Sequence, residues 1–236
     1  MGRFNSDGSL LIKPIAYIRT DFPTKFGVPR QGGLAASCRG TVVFEPEYRD
    51  ANALRGLDGF SRLWLIWGFS EAGRDGWSPT VRPPRLGGNT RVGIFATRSP
   101  FRPNPLAMTC VELAGIEQTA EGAVLHVLGA DVMDGTPIYD VKPYLPYADA
   151  YPDAAGGFAH EFEKRTLRVT VPTSLAAKLD GELLPSLTEV LAQDPRPAYQ
   201  DDENRVYVLP YGGYEISFSV SGDELTVSDV REVKTK

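Results

Sequence analysis

The sequence predicts a mainly β protein, a barrel or sandwich followed by a smaller α+β module. About seven short β-like segments succeed one another between residues 10 and 145, with hardly any helical pattern between them. Apolar residues at helical spacing are concentrated in the last third of the chain. No Gly-x-Gly-x-x-Gly run follows a predicted strand, so a Rossmann cofactor domain is unsupported.

The first elements follow from β-rich runs separated by turn-forming residues. Leu10–Arg19 is predicted to be a strand, in which Pro14 indicates an edge or a bend. Residues 21–33 are rich in proline and glycine and are predicted to be a loop. Arg39–Glu45 is the second predicted strand, and Glu47–Leu54 is a helical turn or short helix.

The middle of the chain supplies the most apolar strand. Residues 59–69 are apolar on both faces, which predicts either a strand buried on both sides or the wall of a closed barrel, with its two tryptophans in the core. Residues 91–97 are predicted to form the next strand. Met108–Ile116 and Ala123–Leu128 follow as a strand pair joined by a polar turn.

The chain changes character near residue 160. A linker-like stretch at 151–157 suggests two domains, a barrel over 1–160 and a small α+β domain over 161–236. In the second, Glu163–Val171 alternates like a strand, and Ser174–Gln193 predicts two short helices broken by glycine and proline. Three small strands complete it: Arg205–Leu209, Tyr214–Val220 and Glu224–Val230.

Bulk composition limits the classes of partner. The 236 residues are 42% hydrophobic and 23% charged, as in an ordinary globular protein. The net charge of −5 argues against a generally basic nucleic-acid-binding surface but allows a local basic patch. The longest apolar stretch, Leu63–Phe69, is far shorter than the ~20 residues of a membrane helix, so we predict a cytoplasmic protein without a membrane partner.

Cysteine and histidine usage gives no indication of a metal site. Cys38 and Cys110 lie far apart among apolar neighbours, without a His or Cys at metal-ligand spacing, so they are predicted to be reduced, buried thiols. His126 lies in an apolar strand, where a satisfied sheet residue is more common than a catalyst. We therefore predict a protein without a bound metal.

One segment, Arg82–Pro105, is basic and stiffened by proline. No Asp or Glu interrupts the chain between Gly76 and Val111, although the protein as a whole is acidic. Guanidinium groups on rigid loops bind anions such as phosphates, although they can also be structural. The segment contains five arginines: Arg82, Arg85, Arg91, Arg98 and Arg102.

A second polar segment follows residue 130. Asp134-Gly135 is typical of a turn, and three polar residues then recur at spacing two. In an extended strand this spacing puts all three side chains on one face, as a structural ion pair beside a tyrosine or as a proton-transfer group. They are Asp140, Lys142 and Tyr144.

Six motifs stand out in these segments: PRQ (29–31), LDGFSRLWLIWGF (57–69), RPPRLGGN (82–89), GIFATRSPFRPNP (93–105), DGTPIYDVKPYLPYAD (134–149) and DPRPAYQ (194–200). Together they resemble the TrmO family of S-adenosylmethionine-dependent tRNA methyltransferases. The resemblance implies a single-sheeted β-barrel that works as a homodimer, with the methyl donor near the subunit interface. It also implies methylation of N6 of threonylcarbamoyl-adenosine at position 37, in the anticodon stem-loop of certain tRNAs.

The resemblance also implies a donor site assembled from several motifs. Two positions depart from the family pattern: Ser70-Glu71 replaces a His followed by Gln or Lys, and Leu106-Ala107 replaces Ile-Gly. The first departure affects two of the predicted contacts. The implied donor-binding residues are Pro29, Arg30, Gln31, Ser70, Glu71, Arg98, the main chain near Cys110, and Asp134, Gly135, Thr136 and Pro137.

Catalysis in such a site needs neither a metal nor a covalent residue, since the donor brings its own leaving group. Asp140 and Tyr144 are candidates to accept or polarise the N6 proton, while Lys142 orients Asp140 or contacts phosphate. These roles are hypotheses. The alternative reading of the three residues is a structural cluster.

Contacts to tRNA are predicted on both parts of the chain. Arg82, Arg85 and Arg102 are assigned to the phosphate backbone, with Phe101, Tyr139 or Tyr144 available to stack on unpaired bases. In the C-terminal part the candidates are Arg196 and Tyr199, whose loop could instead cap the preceding helix. Two other functions stay open: an RNA- or nucleotide-binding barrel without chemistry, and a methyltransferase for another RNA base or a small molecule.

Overall fold

A closed six-stranded antiparallel barrel forms the N-terminal part of the protein. In this computed structural model, the described residues are 5–71, 77–83, 86, 89–159, 166–197, 202–203 and 205–233. The first eight strands are β1 (Ala16–Thr20), β2 (Arg39–Phe44), β3 (Arg62–Gly68), β4 (Thr80–Val81), β5 (Val92–Gly93), β6 (Leu106–Thr119), β7 (Gly122–Leu128) and β8 (Thr136–Pro143). The barrel order is β1-β2-β7-β6-β3-β8, and β4 pairs with β5 in a separate ribbon. The prediction of a mainly β barrel is confirmed.

Strand β3 has one face inside the barrel and one face outside it. Leu63, Leu65 and Trp67 are buried inside the barrel, while Trp64 and Ile66 point outward and are half-buried. The strand is therefore a barrel wall, and the alternative of burial on both sides is wrong. The expectation that both tryptophans lie in the core is also wrong for Trp64, whose Nε1 donates to Asp149 Oδ2 at 3.0 Å on the outer face.

Two other predicted strands differ from the structure. Barrel pairing of the first strand begins only at Ala16, after Pro14, which has no N–H to donate to a ladder. The predicted strand at 91–97 is limited to Val92–Gly93, and the chain then turns into a 3-10 helix at Ile94–Ala96. A hydrogen bond from the Thr97 hydroxyl to the Ile94 carbonyl, at 2.8 Å, closes that turn.

The C-terminal part is a four-stranded sheet packed on a helix. A short helix, α1 (Pro146–Asp149), follows β8. Pro185 does not break α3, because a proline in the first turn removes an N–H that has no intrahelical partner. The sheet order is β10-β11-β12-β9, with β9 parallel to β12. The elements are β9 (Arg168–Thr170), α2 (Thr173–Ala176), α3 (Leu183–Ala192), β10 (Tyr207–Tyr211), β11 (Tyr214–Ser221) and β12 (Glu224–Glu232).

The C-terminal core includes residues from the loop between β1 and β2. Phe22 and Cys38 belong to the same buried cluster as Leu187 and Tyr211. The ring centroids of Phe22 and Tyr211 are 5.2 Å apart, and Glu189 accepts hydrogen bonds from the hydroxyl and N–H of Ser37, each at 2.8 Å. Both ends of this loop are thus fixed by the C-terminal part. The boundary near residue 160 stays a prediction.

Both cysteines are free thiols, as predicted. Cys38 is buried, and this burial raises the pKa of its thiol to about 12. Cys110 is only half-buried, contrary to expectation, because it lies on the outer face of β6 opposite Trp64. None of the helices in the described ranges is long and apolar enough to cross a membrane.

Candidate active site

Three long connections leave the same end of the barrel and enclose a cavity. They are the β1–β2 loop (21–38), the described residues between β3 and β6, of which 69–71 and 97–102 contribute to the cavity, and the β7–β8 loop (129–135). Antiparallel pairing brings the ends of β1, β3 and β7 together with the starts of β2, β6 and β8. The cavity has a volume of about 670 Å³. Because loops on a rigid scaffold carry most binding sites, this end of the barrel is the candidate site.

Most of the predicted donor-site residues line this cavity. Arg98 connects two of its walls, since its guanidinium donates a hydrogen bond to Gln31 Oε1. The residues at 29–31, 70–71 and 98 are distant in sequence but meet here. The lining residues among those predicted are Pro29, Arg30, Gln31, Ser70, Glu71, Arg98 and Thr136.

Four predicted donor-site residues do not line the cavity. Asp134 accepts a hydrogen bond from the Thr20 N–H at 3.1 Å, and Gly135 takes a positive φ of 74°, so the pair forms the turn into β8. Pro137 lies opposite Tyr17 in the ladder between β8 and β1. The predicted contact at Cys110 is with its main chain, whose oxygen lies 3.5 Å from the position of a Cβ added at Gly32, while its side chain is on the outer face of the barrel. These four residues therefore belong to the turn into β8 and to the barrel strands, outside the cavity lining.

A carboxylate at the cavity floor, Asp131, was missed by the sequence reasoning. Its Oδ1 accepts from the Thr109 hydroxyl at 2.6 Å, and this hydroxyl accepts from Trp67 Nε1 at 2.9 Å. Burial raises the pKa of the Asp131 carboxyl, while the Thr109 hydrogen bond and the charge of Arg98 oppose the shift. The available signal was an acid placed between the apolar residues Ala130 and Val132, shortly after β7.

Asp140, Lys142 and Tyr144 lie on the outer face of the barrel, and Asp140 is the one next to the cavity. Lys142 Nζ is 2.9 Å from Asp140 Oδ2, and this hydrogen bond raises the pKa of the ammonium. The Tyr144 ring packs on Trp64 with centroids 5.9 Å apart. Asp140 pairs in register with Ile66, which lines the cavity. Asp140 therefore adjoins the cavity without forming its wall, whereas Lys142 and Tyr144 lie beside Trp64, which is not a lining residue.

The basic segment presents aromatic rings together with its arginines. Phe95 is 73% exposed and stacks on Trp77 with centroids 6.5 Å apart. The Arg102 guanidinium lies 5.9 Å from the Phe95 centroid and donates to the Thr97 carbonyl at 2.6 Å. Arg102 also lines the cavity. The exposed aromatic platform, Trp77 and Phe95, thus adjoins the cavity, and it was missed because sequence gives no exposure.

The other residues predicted to contact tRNA differ in their exposure and packing. Arg82 is exposed, whereas Arg85 and Tyr199 lie outside the described residues. The Tyr139 ring packs closely over Gly68, where an added Cβ would lie 2.7 Å from it. The Arg196 side chain is only 10% exposed and forms an ion pair with Asp194 at 2.8 Å, which favours the helix-capping alternative for this residue.

Acidic, histidine and cysteine side chains are the groups that most often hold metal ions in proteins. Within the described ranges, no three of them come close enough together to hold a metal ion. His126 bonds with Glu117 through Nε2 at 2.7 Å and with the Thr41 hydroxyl through Nδ1 at 3.2 Å. It is thus a satisfied sheet residue, as predicted.

Comparison with known proteins assigns both parts of the chain. The family model for the tRNA-methyltransferase O N-terminal domain matches residues 17–150, and that for the TrmO C-terminal domain matches 164–233. The tRNA (adenine(37)-N6)-methyltransferase of Escherichia coli is 44% identical over 205 residues, which are 83% of this chain and 86% of that protein. A probable S-adenosyl-L-methionine-binding protein of Methanothermobacter thermautotrophicus is 34% identical over 145 residues, 61% of this chain and 97% of its own.

A solved structure extends this similarity to the whole fold. The crystal structure of TrmO from Pseudomonas aeruginosa superposes with a TM-score of 0.77 at 31% identity, covering 94% of this chain and 99% of that one. Both domain families, the relatives and the fold agree with the family predicted from the six motifs. The chain belongs to the TrmO family of tRNA methyltransferases.

Proposed function

We propose that this protein transfers a methyl group from S-adenosylmethionine to N6 of threonylcarbamoyl-adenosine at position 37 of tRNA. One observation carries the proposal: four of the six motifs that resemble a tRNA methyltransferase family, at 29–31, 57–69, 93–105 and 134–149, contribute residues to one cavity at the end of the barrel. The relatives named as tRNA (adenine(37)-N6)-methyltransferases support the choice of substrate. We further propose a cytoplasmic location, where such tRNA is found.

The residues of the cavity fit this methyl donor. Its volume of about 670 Å³ lies within the usual range for small-molecule sites. Ile66, Phe69 and Met108 offer apolar surface for the adenine, and Arg30 and Arg98 offer guanidinium forks for the donor's carboxylate. When bound, the donor supplies an electrophilic methyl group with its own leaving group.

The chain's own chemical task is then to position N6 and to handle its proton. N6 of this nucleoside belongs to a urea-like group and is a poor nucleophile, so sharing its proton assists the attack. Asp140, beside the cavity rim, is the candidate acceptor, and Lys142 holds its carboxylate in place through their 2.9 Å contact. Tyr144 is the second candidate to polarise the same proton.

The homodimer implied by the resemblance also fits the outer face of the barrel. Met108 is 51% exposed there and Ile66 and Trp64 are half-buried, next to the cavity and to Asp140. We propose that a second copy of the chain covers this face, so that two subunits enclose one donor site. Light scattering is expected to give twice the monomer mass of 25.8 kDa, and a purely monomeric protein would contradict the proposal.

We propose that tRNA binds across Arg82, Arg102 and the exposed aromatic platform. Replacing Arg102 by Ala is expected to weaken tRNA binding and to reduce the slope of log affinity against log salt by about 1, because one phosphate contact releases about one counterion. Fluorescence anisotropy at several salt concentrations measures both quantities.

Arg55 provides the matched control for this prediction. It lies near the opposite end of β6, where it contacts Asn52 at the other end of the barrel. Arg55→Ala is expected to leave the salt slope unchanged. If Arg102→Ala binds like the parent at every salt concentration, the arginine serves only to hold the Thr97 turn.

A direct assay tests the proposed function against its alternatives. The purified protein is incubated with isotope-labelled S-adenosylmethionine and tRNA bearing threonylcarbamoyl-adenosine, and the digested nucleosides are identified by mass. The label is expected on N6 of that nucleoside. Label on another base would indicate a different methyltransferase, and calorimetry without any donor binding would indicate a non-catalytic RNA-binding module.

A further inference from the structure

Asp131 is held rigidly at the floor of the cavity by groups from three elements. The Thr109 hydroxyl on β6 donates to its Oδ1 at 2.6 Å, and Trp67 on β3 fixes that hydroxyl through a 2.9 Å bond. Gly32, next to the Pro29-Arg30-Gln31 motif, lies close to the carboxylate, and its backbone N–H helps to lower the pKa of Asp131. These donors stabilise an ionised carboxylate at one position, and a carboxylate has accepting capacity beyond them.

Asp131 is an acid at the floor of a cavity whose other charged lining residues are mostly cationic. Lys25, Arg30, Arg98 and Arg102 line the same cavity, and the other acid among its lining residues, Glu71, is exposed at the rim. Beside buried Trp67 and Val132, a charge interaction is screened less than in water. A ligand that bears both a carboxylate and a cation would match this arrangement of charges.

Resting on the proposed function, we propose that Asp131 faces the sulfonium of S-adenosylmethionine and makes the site prefer the charged donor over the spent product. In the transfer, the N6 lone pair forms the N–C bond while the C–S bond breaks and leaves its electron pair on sulfur. The N6 proton passes to a base or to solvent. Sulfur thereby becomes neutral, so its attraction to Asp131 is lost together with the methyl group, while the contacts of the adenosine, carboxylate and ammonium groups remain.

The consequence is selective release of S-adenosylhomocysteine. A carboxylate that instead bound the α-ammonium group would hold donor and product equally, because both carry that ammonium. The ratio of the two affinities therefore reports which cation Asp131 faces. This ratio does not depend on catalysis or on tRNA.

The experiment compares the parent with Asp131→Asn, which keeps the shape and an accepting oxygen but removes the charge. Calorimetry measures the dissociation constants of S-adenosylmethionine, of S-adenosylhomocysteine, and of an analogue with a protonated amine in place of the methyl sulfonium. We expect the affinity for both cationic ligands to fall by about tenfold or more, and that for the neutral product to change by less than about threefold. Asp58→Asn, on the exposed 3-10 turn at Leu57–Gly59, is the control and is expected to leave the affinity ratio unchanged.

Three outcomes would overturn the inference. Equal losses for all ligands would place the carboxylate at a group shared by donor and product, and unchanged affinities would make Asp131 structural. A selective loss of product binding would contradict the charge argument. If the parent protein binds neither donor nor product, the proposed function itself fails. Thermal unfolding and circular dichroism of the variant establish that it is folded.

Discussion

Replacing Asp140 by Asn is expected to lower the single-turnover rate of methyl transfer by about 10²- to 10⁴-fold at saturating donor, the usual range for loss of a general base. Asn keeps the acceptor for the Val141 N–H, which bonds to Asp140 Oδ1 at 2.9 Å, so the strand geometry is retained. It removes the basic oxygen and the ion pair with Lys142. Donor affinity is expected to stay close to the parent value, because Asp140 is outside the cavity wall.

Glu112→Gln is the matched control for this experiment. Glu112 is also an exposed acid on the barrel's outer face, and it pairs with Arg62 at 3.7 Å. Its neutralisation is expected to leave the rate unchanged. If Asp140→Asn reacts as fast as the parent, the cluster of Asp140, Lys142 and Tyr144 is the structural ion pair that its sequence spacing also allowed.

The barrel could be predicted because each strand carries its own local signal. The side chains of β3 alternate between an inner face, which contains Leu63 and Leu65, and an outer face. This alternation arises wherever one side of a sheet is buried, so it can be recognised in the strand's own sequence. The strand order could not be predicted from the sequence, because β8 pairs with both β1 and β3, which are far away along the chain. These contacts depend on the closed sheet and leave no local pattern.

The failed strand at 91–97 has a physical cause. Val92, Ile94 and Phe95 have high β propensity, but propensity is weak where no partner strand extends alongside. In the structure β4 offers only two residues for pairing, and the chain turns after Gly93. Phe95 consequently points to solvent, where the exposed aromatic platform forms.

The candidate site could be predicted from its motifs but not from its geometry. Arg98 and Gln31 were assigned to one ligand through the resemblance, and the structure brings them into direct contact. Asp131 has no motif of its own, and its importance comes from burial and from its bond with Thr109. The dependence of the β1–β2 loop on the C-terminal core, through Phe22 and Cys38, is likewise a long-range contact without a sequence signal.

Replacing Gly32 by Ala is expected to weaken S-adenosylmethionine binding by about tenfold or more, because misplacing a binding loop by a fraction of an ångström disrupts its contacts. A Cβ at Gly32 would lie 2.5 Å from Cγ2 of Thr109. This methyl cannot turn away, since Thr109 is buried, β-branched and held through its hydroxyl by Trp67 and Asp131. The loop that carries Pro29-Arg30-Gln31 must therefore move instead.

The double variant Gly32→Ala, Thr109→Ser separates this clash from other effects. Serine removes the opposing methyl but keeps the hydroxyl between Trp67 and Asp131, so donor affinity is expected to return to within about threefold of Thr109→Ser alone, as in a double-mutant cycle. Gly59→Ala, at a glycine with no atom within 4 Å of its added Cβ, should bind the donor like the parent. If Gly32→Ala binds normally, or if serine restores nothing, the close packing of this loop on β6 does not shape the donor site. Calorimetry on the parent, the two single variants at positions 32 and 109, and the double variant decides between these results. The effects of the two substitutions on donor affinity are coupled only if the two side chains compete for one space.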